Sequence, residues 1–185
     1  MTLIETLVAV TILTVAIVAP MSLTMQSLSS AYYARDQVTA FNLAQEAIES
    51  VRSIRDGNIL KIALNTTSTC ASDSLPIYLP CGIPTDGRNF TIDTRNNIIA
   101  DCPSNVCPPL QTDDNPSTPQ NEGTLYGYQS EWVPTVFTRA VQAESVTADE
   151  VRITVTVTRS GNLHAFPPVV LRENLYRWVA DSSAI

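Results

Sequence analysis

The chain has 185 residues, 44% of them hydrophobic and 16% charged, enough for one domain of ordinary size with an appendage. Eleven Lys and Arg stand against eighteen Asp and Glu, a net charge of −7, and Lys61 is the only lysine, which argues against a phosphate-neutralising surface and against nucleic acid as a partner. His164 is the only histidine, so Ser-His-Asp and Cys-His catalysis and multi-histidine metal sites are disfavoured; the sequence points away from an enzyme and calls for no cofactor.

Between Glu5 and Arg35 lie 29 consecutive residues without Asp, Glu, Lys, Arg or His. Within them Thr6–Met25, TLVAVTILTVAIVAPMSLTM, is 20 residues long and apolar on every face, the length of a helix that crosses the hydrocarbon core of a bilayer. A buried helix of this kind in a soluble protein needs apolar neighbours all round it, and the chain offers no second segment like it. A secretory signal peptide also begins with an apolar stretch. Here, however, no Lys or Arg precedes the run, Glu5 stands where a basic region would be, and a second helical segment follows instead of a small-residue cleavage site. The helix is therefore expected to stay in the mature protein.

Two residues in this segment stand out. Glu5 is a carboxylate in apolar surroundings, costly without a partner, and no cation follows it for 29 residues. The amine of Met1 is the nearest positive charge, and a pairing between staggered copies would neutralise both groups and set their axial offset. At about 4 Å such a pair is worth about 4 kcal/mol at an effective dielectric of 20. The bland alternative is a Glu5 solvated among lipid headgroups. Pro20 removes one backbone hydrogen bond and crowds the preceding turn, so the sequence predicts a helix break there: a plain kink in a membrane anchor, or a weak point that can extend.

From Ala34 to Ile54 apolar residues recur at Ala34, Val38, Phe41, Ala44, Ile48, Val51 and Ile54, the periodicity of an amphipathic helix. Gly57, after Arg52 and Arg55, reads as its C-terminal stop. The expected organisation is an N-terminal helix over 1–56, hydrophobic over 1–30 and amphipathic over 31–56, followed by a β-rich head over 57–185.

From Asn58 onward the chain holds five of the six glycines, eleven of the twelve prolines and all four cysteines. Its clearest strand is Val151–Thr158, VRITVTVT, where Val151, Ile153, Val155 and Val157 alternate with polar residues. Ser160-Gly161-Asn162 signals a turn, Val169–Trp178 can return as the partner strand, and Pro134–Gln142 supplies a third. Asn58–Leu64 and Phe90–Thr94 read as short strands, and Thr112–Gly123, TDDNPSTPQNEG, as an exposed loop. Trp132 and Trp178 read as packing residues. The fold class is α+β: a long N-terminal helix whose C-terminal half packs on an antiparallel sheet of three to five strands, with disulfide-stapled loops.

The cysteines stand at Cys70, Cys81, Cys102 and Cys107. An even number in a loop-rich exported head favours disulfides over zinc or redox chemistry. Three pairings are possible; sequence-adjacent pairs, Cys70 with Cys81 and Cys102 with Cys107, staple loops that lack regular structure and are preferred. Asp113, Asp114 and Asn115 lack EF-hand spacing and read as a solvated loop, leaving no metal site. Asn65-Thr66-Thr67 and Asn89-Phe90-Thr91 match the N-glycosylation pattern, which recurs by chance.

The N-terminus MTLIETLVAVTIL, with Glu5 followed by an uncharged run and then an amphipathic helix, resembles the mature N-terminus of the type IV pilin superfamily. Thr2, Leu3, Ile4 and Glu5 match the family's TLIE core, and the likeness covers about 55 residues, with a looser one at the C-terminal hairpin. Pro20 falls slightly earlier than the proline usual in the family, and no glycine precedes it. The resemblance implies that Met1 follows a prepilin-peptidase cleavage site behind a short basic leader ending in Gly, and is N-methylated. It further implies a subunit held in the inner membrane, extracted by an ATPase-driven pilus assembly machinery, and polymerised as a homopolymer into an extracellular filament for adhesion or motility. Glu5 would pair with the Met1 amine of a neighbour, and Pro20 would let the helix adapt to the lattice. Within this class a major pilin competes with a type II secretion pseudopilin or a minor pilin. From a different class, a membrane-tethered surface binding domain that does not polymerise is the alternative.

Overall fold

Alternating inward valines and isoleucines can hide one face of a strand only against a second layer, and the long helix supplies the apolar stripe for it. The computed structural model describes residues 2–64, 83–113, 125–129, 131–147, 149–161 and 167–176. Its elements in chain order are one helix, α1 (Leu3–Ala63), and seven strands: β1 (Asp86–Asp93), β2 (Ile98–Asp101), β3 (Pro109–Thr112), β4 (Tyr126–Gly127), β5 (Val133–Thr147), β6 (Glu150–Arg159) and β7 (Val169–Tyr176). A short 3₁₀ turn, Pro103–Asn105, lies between β2 and β3. The chain divides into two compact units, residues 1–39 and residues 40–185.

The first unit is helical from Leu3 onward, and its apolar side chains are exposed, Leu3, Val15 and Leu23 among them. α1 continues as helix through Pro20. A proline removes only the rung to the Ala16 carbonyl and leaves the flanking ladder free to continue.

In the second unit every strand pairing is antiparallel. β5 is the spine. One of its edges carries β6 over Phe137–Thr147, and β6 in turn carries β7. The other edge is shared: β3 pairs with it between Val133 and Thr138, and β1 between Val141 and Glu144. β2 extends β1, and β4 extends β3. The inward residues of β6, Val151, Ile153, Val155 and Val157, are buried as their alternation demands. They join Phe90, Ile92, Leu110, Phe137, Val141 and Leu175 in one hydrophobic cluster with Ala40, Leu43, Ala44, Ala47, Ile48 and Val51 of α1.

The structure corrects four sequence expectations. Asn58–Leu64 is not a strand: α1 runs on to Ala63, and the Leu64 N–H still donates to the Leu60 carbonyl at 3.0 Å. Gly57 does not stop the helix, because it does not take the left-handed conformation of a C-terminal cap, and a helical glycine costs only about 1 kcal/mol. The buried stripe is also displaced. Ala34, Val38 and Phe41 are exposed, while Ala40, Leu43, Ala47 and Ser50 are buried beside Ala44, Ile48 and Val51. Ala34 and Val38 precede the unit that holds the sheet, so the periodic stripe they begin has no partner over its first turns. Lastly, the sheet has seven strands among the described residues where three to five were expected, because β2, β3 and β4 have two to four residues and leave no alternation to read.

Candidate functional site

The candidate site is the apolar N-terminal stretch of α1, built from the backbone outward. The Glu5 N–H donates to the Thr2 carbonyl at 3.0 Å, closing the first turn and setting Glu5 where an acidic side chain complements the helix dipole. Glu5 is exposed among exposed apolar neighbours, Leu3, Ile4, Leu7 and Val8, and among the described residues it has no ion-pair partner. Met1 lies outside the described residues, so its amine is not placed relative to Glu5.

The hydroxyls that interrupt this run are folded back on the helix. Thr6, Thr11, Thr14 and Thr24 donate to the carbonyls of Leu3, Val8, Thr11 and Met21 at 2.8 to 2.9 Å. Each threonine thereby satisfies its donor within its own helix, which lowers the cost of placing it in apolar surroundings. The helix is long and apolar enough to cross a membrane, and none of its most apolar stretch is buried. Pro20 sits exposed inside this run.

The cysteines divide in two. Cys102 and Cys107 form a disulfide with a Cα–Cα distance of 4.6 Å, closing the turn between β2 and β3. That turn is also pinned to β1: the Asn89 N–H donates to Asn105 Oδ1 at 2.6 Å, Asn89 Nδ2 to the Asn105 carbonyl at 2.8 Å, and the Cys102 N–H to the Asn89 carbonyl at 3.0 Å. Ser104 and Asn105 take positive φ to make the bend. Cys70 and Cys81 lie outside the described residues, as do Trp178, His164, Asn65, Asp114 and Asn115. Asn89 and Thr91 make a poor glycan acceptor, since the amide of Asn89 is engaged and Thr91 is buried. The Arg95 guanidinium lies over Trp132, 4.8 Å from its ring centroid, and Gly127 is so close to the ring that a Cβ there would stand 3.2 Å from Cζ3.

Sequence reasoning missed a buried polar centre in the second unit. Arg139 of β5 is fully buried; its Nη1 donates to the Leu43 carbonyl of α1 at 3.0 Å and its Nη2 to the Ile92 carbonyl of β1 at 2.7 Å. Glu46 Oε2 stands 3.6 Å from Nη1, and the other Glu46 oxygen accepts the Thr94 hydroxyl. Along the shared edge of β5 this is where the ladder passes from β3 to β1, so Arg139 and Ala140 pair with neither strand there. Tyr128 reaches the gap, its hydroxyl donating to the Arg139 carbonyl at 3.4 Å, and burial pushes its phenol up to about 12. The signal was present in the parity: Arg139 occupies the inward register of Phe137, Val141 and Ala143.

No family model, curated protein or solved structure matches the chain.

Proposed function

We propose that the chain is a pilin-like structural subunit that polymerises through the apolar N-terminal stretch of α1 into an extracellular filament. The observation that carries this reading is the uncharged Thr6–Met25 run, exposed along its length and preceded by the single acid Glu5. An apolar surface of this extent is stable only in lipid or against other apolar helices, and a filament core of like helices replaces the bilayer without exposing the run to water. A helix that serves only as a tether has no use for a carboxylate at its apolar end. One that stacks beside copies of itself gains axial register from pairing Glu5 with the Met1 amine of a neighbour. The inner membrane holds the subunit before assembly, Pro20 is the place where the helix yields to the lattice, and the head, with eight Lys and Arg against thirteen Asp and Glu over residues 57–185, forms the filament surface.

The test is electron microscopy of surface material released by shear from cells expressing the parent chain or Glu5→Ala, with mass spectrometry to identify the filament protein. The reading requires filaments built of this chain in the parent. It also requires a Glu5→Ala subunit that still reaches the membrane fraction at parental level but yields at least about tenfold fewer filaments, the loss a pair worth a few kcal/mol would cause. Membrane-bound parent chain with no filament would instead make it a tethered surface domain.

A further inference from the structure

The strand registers fix the face of β5, β6 and β7 that turns away from the core. Phe137, Arg139 and Val141 of β5 and Val155 and Val157 of β6 point inward and are buried, so the even-numbered residues of these strands point outward. Across the strands the outward residues stand in rows. Ala140, Thr156 and Val170 form one row. Gln142, Thr154 and Arg172 form the row on one side of it, and Thr138 with Thr158 the row on the other. Rows lie about 7 Å apart along the strands, and members of a row about 5 Å apart across them.

Two properties set this platform apart. Arg172 is the only charge in the three rows, in a head that carries eight Lys and Arg and thirteen Asp and Glu over residues 57–185. The hydroxyls of Thr138, Thr154, Thr156 and Thr158 have no hydrogen-bond partner among the described residues. Those of Thr6, Thr11, Thr14 and Thr24 in α1, by contrast, are spent on helix carbonyls. The middle row therefore presents methyl groups, and the rows beside it present free hydroxyl, amide and guanidinium groups.

The kind of occupant follows from these groups. The largest apolar side chain in the rows is that of Val170, so a protein partner finds none of the aromatic anchors on which interfaces depend. One arginine on an acidic head does not attract a polyanion. The rows match a ribbon that is apolar on its flat side and hydroxylated along both edges, and a chain of neutral sugar rings is such a ribbon. A sugar ring is also about as long as the spacing between members of a row. We propose that the outward face of β5, β6 and β7 binds a neutral polysaccharide lying across the strands on Ala140, Thr156 and Val170, its hydroxyls bonded to the rows on either side. The site belongs to the head and stands whether the head is carried on a filament or on a tethered chain.

The full chain in detergent micelles is mixed with particles of cellulose, chitin or curdlan, all neutral polysaccharides, and sedimented. The bound fraction is compared for parent, Ala140→Lys, Thr156→Lys and Gln45→Lys. Each lysine adds the same charge, but Gln45 is exposed on α1, outside the platform. The parent is expected to bind at least one polymer, Ala140→Lys and Thr156→Lys to retain at most about a fifth as much, and Gln45→Lys to match the parent. If the lysines disrupt the fold, Thr154→Ala combined with Thr158→Ala, which removes two outward hydroxyls and leaves the core untouched, decides by a loss of at least about threefold. A parent that sediments with none of the polymers, or platform variants that bind as the parent does, overturns the proposal. So does a parent that binds no polymer but forms dimers that Thr156→Lys abolishes, since the occupant is then a second copy of the chain.

Discussion

Arg52 of α1 donates through Nε to Glu173 of β7 at 2.7 Å, with Nη2 2.6 Å from the same Oε1, tying the helix to the last strand across 121 residues. Glu49 shares the guanidinium from one turn earlier, at 2.6 Å from Nη1. The side chains of Arg52 and Glu173 are 40% and 23% exposed, so water and salt screen the pair. A double-mutant cycle of Arg52→Ala and Glu173→Ala should return a coupling of about 0.5 to 1 kcal/mol in low salt, falling towards zero at 1 M salt. Urea unfolding of the four proteins at the two salt concentrations measures it.

Tyr128 makes stability depend on alkaline pH. Burial raises its phenol from 10.0 to about 12, so the folded protein holds this proton over a range in which the unfolded chain gives it up. A folded pKa above the unfolded one leaves the contribution intact below pH 10, and it is lost as pH rises from 10 to about 12. The loss should be on the order of 2 to 3 kcal/mol. Tyr128→Phe removes this slope. The difference in unfolding free energy between parent and variant, measured from pH 8 to 12, should therefore shrink above pH 10, and a constant difference would count against a buried phenol.

The Cys102–Cys107 disulfide closes a loop with a sequence separation of only five. On the chain-entropy model so short a loop contributes about 2 kcal/mol. The hydrogen bonds between Asn89 and Asn105 are independent of the sulfurs and should hold the turn near its native path when the bond is removed. Cys102→Ser combined with Cys107→Ser should lower the unfolding free energy by that amount and leave the amide protection of β1 largely intact, as read by hydrogen exchange.

Legibility followed the range of the interaction that shapes each element. The strands β6 and β7 and part of β5 are readable because period-2 alternation is a local signal, and Val151 to Val157 keep it over four inward positions, whereas the pairing of β5 with β6 is not. The return strand begins at Val169, where the sequence places it, with Val157 facing Val169. Arg139 was passed over within VFTRAVQ because a charge in a strand is ordinarily on the wet face. Only the parity of Phe137 and Val141 places it inside, and only the Leu43 and Ile92 carbonyls make that position tolerable.

By itself the sequence determined the uncharged run with its single Glu5, the helical character of α1 and the alternating strands. These are properties of composition and of spacing along the chain, which the backbone obeys before any distant contact forms. The tertiary structure decided which face of α1 is buried, that Gly57 stays helical, that β5 serves as the common spine, and that Arg139 is enclosed with Glu46 beside it. Those outcomes depend on the size and charge of residues far apart in sequence, such as Leu43 and Arg139. A periodic pattern of apolar residues leaves the rotation of a helix open within its less polar side, and only its partners settle it.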